Sequence, residues 1–150
     1  MKKTLRKLLI VLVLSFLVGV LSAGCGSTAT PVPTEKPPLL VVDPSTIDWE
    51  PIEKLGPGAW IKVLYHEEDT GAGDYLLKFD DGFVEPLHSH PGAHHIYIIS
   101  GTLVDSDGND VLTPGMFFLA PATVEHGPVT AKGDVIMFAY FDGPIFYPEK

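Results

Sequence analysis

The chain has 150 residues, of which 19 are acidic and 10 are basic, and its formal net charge is −9. This length has room for one folded domain and little else. An acidic balance of this size makes nucleic acids and anionic membrane surfaces poor partners. We therefore expect no nucleic-acid partner.

The N-terminal 25 residues have the pattern of an export signal. A basic start is followed by an apolar run, residues 8–21, which is too short to cross a bilayer comfortably but suits the core of a signal peptide. The only cysteine, Cys25, follows Leu21-Ser22-Ala23-Gly24. This segment resembles the lipobox of bacterial lipoproteins, although Ser22 stands where the lipobox usually has leucine. The resemblance implies a lipoprotein signal peptide over residues 1–25, a lipidated Cys25 and a lipid-anchored domain in the bacterial cell envelope, facing outside the cytoplasm.

Removal of this signal changes the remaining chain in two ways. Four basic residues and no acidic residue precede Cys25, so six basic and 19 acidic residues remain and the balance becomes −13. If lipid occupies the thiol, then disulfides, a cysteine nucleophile and thiolate metal ligands are excluded. Residues 26–45 are rich in Pro, Ser and Thr and predict a flexible tether, since they bury too little apolar surface to fold alone. The folded domain is then residues 46–150, and the lipid anchor is its expected contact with the membrane.

The domain shows the pattern of an all-β protein. From Trp49 onward no segment has a sustained helical period, and short β-rich runs alternate with Gly, Pro and Asp, as in a sandwich or barrel. Several runs are apolar on both faces, which is typical of strands covered by a second sheet or by a dimer partner. The runs expected to form strands are 60–65, 75–79, 84–88, 94–99, 102–105, 116–119 and 135–141.

The acidic run from Asp105 to Asp110 resembles a calcium loop at first sight. Its glycine is misplaced, however, and Met116 stands where the loop needs a glutamate. Asp-Gly between two strand-like runs predicts a hairpin turn instead.

Four histidines have spacings that allow one metal ion to gather them. The first block runs Gly82, five residues, His88-x-His90, three residues, His94, six residues, Gly101; the second runs Gly115, five residues, Pro121, four residues, His126. Residues two apart on a strand share a face, so His88 and His90 point the same way. Neutral imidazoles suit iron, zinc, copper and nickel. The sequence thus predicts a metal site at His88, His90, His94 and His126.

These two blocks resemble the two signature motifs of the cupin superfamily. The resemblance implies a cupin-type β-barrel, also described as a double-stranded β-helix or jelly roll. His94 stands at the position of the family's glutamate, Thr123 replaces a glycine and Thr130 replaces an asparagine. A finer likeness, over Gly58 to Leu64, Thr70-Gly71 and Asp107-Gly108, points to the branch that holds an anti-sigma factor's zinc-binding cupin domain and the acetylacetone-cleaving dioxygenase.

Alternatives stay open around this site. His95 is the alternative to His94 as third ligand, since the family also allows four intervening residues, but the spacing back from Gly101 favours His94. Tyr97 and Tyr140 are either groups near the metal or buried core aromatics. His66 is interpreted as a solvated loop residue. The pattern reveals no general base, and the catalytic residues stay unknown.

Three functions fit this reading. The first is a mononuclear non-haem dioxygenase-like enzyme with iron(II), or else zinc, manganese or nickel, acting on a small enolisable or aromatic molecule. The second is a metal or ligand sensor without turnover, for which a closed site would be the sign. The third is isomerase or lyase chemistry on a sugar acid, since fold alone does not decide function. In each case the partner is a small molecule, and the pattern is compatible with a homodimer.

Overall fold

Eight β-strands and two short 3₁₀ helices make up the regular structure of residues 39–146, the part of the chain that the computed structural model describes. The signal peptide, Cys25 and residues 26–38 of the tether lie outside the described residues. Within residues 39–146 no helix is long and apolar enough to cross a membrane. The strands are β1 (Glu50–Pro51), β2 (Ala59–His66), β3 (Gly73–Phe79), β4 (Val84–Glu85), β5 (His94–Val104), β6 (Asp110–Leu112), β7 (Phe117–Ala120) and β8 (Val129–Phe141), and the 3₁₀ helices are Pro44–Thr46 and Glu53–Leu55.

The strands form one antiparallel sheet in the order β1-β2-β3-β8-β5-β6, with β4 also paired to β8 and β7 to β5. The two longest strands, β5 and β8, lie side by side at the centre, where His94 pairs with Phe141. Strand β8 also pairs with β3 along its second half and with β4 at its start. This arrangement confirms the predicted all-β, cupin-type barrel.

Several strand boundaries differ from the prediction. The runs 94–99 and 102–105 form the single strand β5, because Gly101 adopts φ +75° and lets the backbone continue through an irregular register. Strand β4 ends at Glu85, since the following Pro86 has no N–H to donate to a ladder. Strand β8 begins six residues earlier than predicted, and β1 and β6 are too short to show a period in the sequence.

The core consists of the inward faces of β3, β5 and β8. Strand β3 alternates strictly, with buried residues at every second position from Gly73 to Phe79, as a strand with one face in a core should. Burial of each large apolar side chain stabilises the fold by about 1.5–3 kcal/mol. The least accessible large side chains are Phe79, Ile98, Val135 and Phe141.

Strand β5 connects this core to the histidines. His94, Ile96 and Ile98 are buried at 3%, 7% and 0% exposure, while His95, Tyr97 and Ile99 between them are exposed. Two-residue alternation predicts this arrangement for a strand that begins with His94 pointing inward. Consequently His94 points into the same interior that holds the apolar core.

Candidate metal centre

The two histidine blocks are joined by backbone hydrogen bonds. His88 and His126 form an isolated antiparallel bridge, in which each N–H donates to the other's carbonyl oxygen at 3.0 and 2.9 Å. The carbonyl oxygen of His90 accepts a hydrogen bond from the N–H of Thr123 at 2.9 Å. His88, which was predicted to end the strand 84–88, therefore lies in an isolated bridge, and His90 lies outside any strand. Pairing with the second block holds both in place.

Thr123 occupies the position where the cupin motif has glycine, and its backbone keeps the conformation that glycine would adopt. Its φ is +65°, in the left-handed region that a β-branched residue rarely enters. The strain lies at the residue whose N–H holds His90, so the site contains a locally unfavourable backbone that the bridge between the two blocks maintains.

The four imidazole rings predicted to meet do lie together. The ring centroids of His88 and His126 are 4.2 Å apart, and those of His88 and His90 are 4.7 Å apart. The ring of His94 lies 4.6 Å from that of His90 and 4.7 Å from that of His126. His88, His90 and His126 each offer a nitrogen within 4.8 Å of the other two. Their convergence is an observation, whereas their role as metal ligands stays a prediction.

Backbone carbonyls orient three of these rings. In each ring Nδ1–H donates to a carbonyl oxygen, so the proton sits on Nδ1 and the lone pair of Nε2 is free for another partner. Metal-ligating histidines usually donate a hydrogen bond in this way from the ring nitrogen that does not bind the metal. The three bonds run from His88 to Pro86 at 2.8 Å, from His126 to Val124 at 3.0 Å, and from His90 to Ile145.

The surroundings keep the imidazoles neutral. Burial, with a smaller contribution from the neighbouring histidines, lowers the pKa of His90 to about 4 and that of His94 to about 3. Burial also lowers the pKa of His88, against the opposing effect of its bond to the Pro86 carbonyl. At neutral pH the site therefore presents uncharged nitrogen donors, the form that binds metal ions.

This donor set fits a divalent metal. The Nε2 atoms of His88 and His90 are 3.0 Å apart, a separation at which two lone pairs repel unless a cation lies between them. The Nδ1 atom of His94 is buried and has no hydrogen-bond partner among residues 39–146, although buried polar atoms nearly always have one. An ion held among His88, His90 and His126, whose nitrogens lie within 4.8 Å of one another, would remove the repulsion, and the unpartnered Nδ1 of His94 belongs to a ring beside them.

Glu85 is a site residue that the sequence reasoning missed. Its carboxylate lies 3.5 Å from Nε2 of His88, and its side chain is only 18% exposed. Burial raises the pKa of Glu85 to about 7. The available signal was an acid three residues before His88 in the otherwise apolar stretch FVEPL, a pattern that by itself is usually a solvated side chain.

Other residues considered from the sequence lie away from the cluster. His95 is exposed, and its ring stacks edge-on against Phe117 and Tyr140 on the outer face of the sheet. Tyr97 is 46% exposed on that same face. Both tyrosine interpretations were therefore wrong, because strand alternation turns these side chains outward. His66 is exposed, as expected, but it ends β2 rather than lying in a loop, and its Nδ1 lies 3.0 Å from the Tyr75 hydroxyl.

The run from Asp105 forms the predicted hairpin turn between β5 and β6. The Asp105 carboxylate accepts hydrogen bonds from the N–H groups of Asp107 and Asn109 at 2.9 and 2.8 Å. The side-chain amide of Asn109 donates to the same carboxylate at 3.0 Å and is the largest cause of the lowered pKa of Asp105, and the backbone N–H bonds act in the same direction. The carboxylate is thus engaged in stabilising the turn.

The histidine cluster opens into an apolar cavity of about 320 Å³. Within the described part of the chain, its polar lining side chains are Glu85 and the four clustered histidines, and the remaining lining residues are aliphatic, aromatic or glycine. Representative apolar residues of the lining are Leu77, Phe79, Ile96, Phe118, Met137 and Phe141.

Comparison with known proteins agrees with this architecture. The family model described as the ChrR cupin-like domain matches residues 38–145. An RmlC-like cupin from Shewanella frigidimarina is similar in structure, with a TM-score of 0.54 and 25% identity over 69% of this chain and 88% of that one. A chain in the complex of Rhodobacter sphaeroides SigE with the anti-sigma ChrR gives 0.51 and 25% over 65% of this chain and 50% of that one.

An acetylacetone dioxygenase from Acinetobacter johnsonii has the same fold, with a TM-score of 0.56 and 13% identity over 73% of this chain and 76% of that one. At that identity the likeness concerns the fold alone. No curated protein matches the chain in sequence.

Proposed function

The chain belongs to the ChrR cupin-like family, and on that premise we propose that it is a mononuclear non-haem dioxygenase-like enzyme. His88, His90, His94 and His126 would hold its metal. Iron(II) is the metal that we propose, and zinc, manganese and nickel are the alternatives. The observation that carries the proposal is a group of neutral imidazoles facing an apolar cavity. A bound divalent ion would supply Lewis acidity and exchangeable positions for substrate.

The cavity favours a small, largely apolar substrate. A volume of about 320 Å³ is at the lower end of ligand sites, and its polar groups gather at one place, beside the histidines. A molecule with one chelating group, such as a diketone, would place that group at the histidines and its apolar part against Phe118 or Met137. A sugar acid is a poorer match, because its hydroxyls would lose water without gaining partners.

The chain's own residues would prepare this site. Carbonyl oxygens hold three imidazoles in one tautomer, so little reorganisation is needed when a ligand arrives. The apolar walls exclude water, which strengthens electrostatic interactions around the substrate.

Oxygen consumption tests the proposal. Protein freed of metal and reloaded anaerobically with iron(II) is mixed with a panel of diketones and phenols, and uptake of oxygen is followed with an electrode. We expect turnover with at least one small apolar chelator and loss of turnover in His126→Ala. His95→Ala is the matched control, since His95 lies on the outer face. Absence of uptake with iron, manganese and nickel alike would contradict the enzyme.

A sensor without turnover is the second candidate. It is favoured by the match to the ChrR cupin-like family model, and one structural neighbour belongs to a complex between a sigma factor and its anti-sigma partner. Zinc held tightly with no exchangeable water would support this function, because structural zinc sites are closed. The zinc-loaded protein would then bind small chelators without changing the metal's ligand set, which X-ray absorption would detect.

Anchoring at the membrane remains part of the proposal. Cys25 would carry the lipid, and residues 26–45 would tether the domain to the outer side of a bacterial membrane. Labelling cells with a clickable fatty acid tests this: the wild type should be labelled and Cys25→Ser should not. Unlabelled wild type would contradict the anchor.

A homodimer is proposed on the outer face of β5 and β7. Tyr97, Ile99, Phe117 and Leu119 are 46–60% exposed there, and an apolar surface of this kind is typical of an interaction site. A second copy of an acidic chain would meet an uncharged surface rather than like charge. Light scattering coupled to gel filtration should give twice the mass of one chain for the wild type. The Phe117→Lys variant should give the mass of one chain.

A further inference from the structure

We propose that Glu85 is an additional ligand of the metal, through a carboxylate oxygen, at a position that the cupin motif does not assign. The inference rests on the proposed metal site. Glu85 ends the short strand β4, where its backbone pairs with Val129 of β8. The side chain lines the cavity beside the histidines.

The tautomer of His88 carries the first part of the argument. Nδ1–H of His88 donates to the Pro86 carbonyl oxygen at 2.8 Å, so Nε2 presents a lone pair and has no proton to give. That lone pair lies 3.5 Å from the Glu85 carboxylate and 3.0 Å from Nε2 of His90. Nε2 of His88 thus has two electron-rich neighbours, the lone pair of His90 and the Glu85 carboxylate, and a cation bound to Nε2 would remove both repulsions.

The separations also match a shared ion. Nitrogen and oxygen ligands lie about 2.1 Å from a divalent metal such as zinc, so two ligands are about 3.0 Å apart at a right angle and about 3.4 Å apart at the tetrahedral angle. The Nε2 atoms of His88 and His90 are 3.0 Å apart, and Nε2 of His88 lies 3.5 Å from a Glu85 oxygen. These two distances are close to the two expected for ligands of one ion. Each pair taken by itself is therefore compatible with an ion bound to Nε2 of His88. Among residues 39–146 the ligand atoms that all lie within 4.8 Å of one another belong to His88, His90 and His126, so the Glu85 side chain would turn further toward them to share that ion.

The surroundings of the carboxylate carry the third part. Among residues 39–146, the polar contact found for the Glu85 side chain is the one to His88, and the rest of the cavity wall near it is apolar. An ionised carboxylate in such a place is unfavourable unless a proton neutralises it or a positive charge pairs with it, and a divalent metal would supply that charge. His94 occupies the position where the motif has its glutamate, so Glu85 would restore one negative charge to the ligand set from a different element of the fold.

Cobalt(II) binding to the purified protein tests the inference. We compare the wild type with Glu85→Gln and Glu85→Leu, and use Glu125→Gln as the matched control because Glu125 adjoins His126 but is exposed. Affinity is measured by competition with a chromophoric chelator, and the visible spectrum of bound cobalt reports its ligands. Circular dichroism of the metal-free proteins verifies that all variants fold.

Both Glu85 variants should bind cobalt about 10- to 100-fold more weakly or worse, because removal of groups that only hydrogen-bond to metal ligands already costs this much affinity. The visible spectrum of the bound cobalt should also change. Glu125→Gln should match the wild type within about two-fold. Equal affinity and an unchanged spectrum in Glu85→Leu would overturn the role of Glu85 while leaving the histidine site intact. If neither the wild type nor Glu125→Gln binds cobalt, the proposed function fails, and with it this inference.

Discussion

Acidification of the metal-free protein should destabilise it through the buried histidines. The folded-state pKa values of His90 and His94, about 4 and about 3, lie below the ordinary 6.5. Their contribution to stability is therefore complete above pH 6.5 and is lost as pH falls toward the folded values. When the pH falls from 7.5 to 5, each of these two histidines lowers the free energy of unfolding by about 2 kcal/mol, since one pH unit corresponds to about 1.4 kcal/mol. The lowered pKa of His88 acts in the same direction.

Glu85 opposes this effect over the same range. Its pKa is raised to about 7 in the folded protein, so its contribution is present below its ordinary value of 4.5 and is lost as pH rises through 7. A change from pH 7.5 to pH 5 therefore raises the free energy of unfolding by roughly 2 kcal/mol through Glu85. The wild type should lose about 1–2 kcal/mol in total, whereas Glu85→Gln, which cannot take up this proton, should lose about 4 kcal/mol.

Urea denaturation after dialysis against a chelator measures both differences. The midpoints of wild type and Glu85→Gln are compared at pH 7.5 and pH 5, and the slopes verify that the same surface is exposed. A Glu85→Gln variant as stable at pH 5 as at pH 7.5 would refute the reasoning, because the two buried histidines would then not be held neutral.

Three further substitutions have matched expectations. His94→Ala should weaken cobalt binding by at least about ten-fold, as loss of a ligand should, while His95→Ala should leave it unchanged; the reverse result would favour the neighbouring ring as ligand. Gly101→Ala and Gly133→Ala both place a side chain at positive φ, but only at Gly101 does the added Cβ meet backbone, 2.4 Å from a carbonyl oxygen. Thermal unfolding should show the Gly101 variant as the less stable by more than about 1 kcal/mol. Thr123→Gly should raise stability by up to about 1 kcal/mol by relieving its left-handed backbone, and a lower melting temperature would contradict this.

Local periodicity and motif spacing predicted much of this molecule. The face of β5 that His94 shares with Ile96 followed from two-residue alternation, and the meeting of the histidines followed from the family resemblance. The motif spacing back from Gly101 favoured His94 over His95, and the ring of His94 does lie beside those of His90 and His126. These features depend on neighbours in sequence, which the chain itself displays.

The features that were missed depend on neighbours in space. Whether Glu85 is buried is decided by β8 and by the cavity wall, which are far away in sequence. The same holds for Ile145, whose carbonyl orients His90 from 55 residues further along. Tyr140 could be assigned to the outer face only once its pairing with His95 was known, whereas two-residue alternation already turned Tyr97 away from the face of His94.

The bond from His90 to the Ile145 carbonyl has a consequence for the timing of biogenesis. Ile145 follows all eight strands in the chain, so a ribosome must have synthesised every strand, and this segment too, before His90 can acquire its orientation. A chain that contains only the first histidine block would lack the Ile145 carbonyl, so that bond would not hold the ring of His90 in its orientation. A metal bound as proposed would therefore meet the complete, oriented site only after the segment that carries Ile145 has joined the fold.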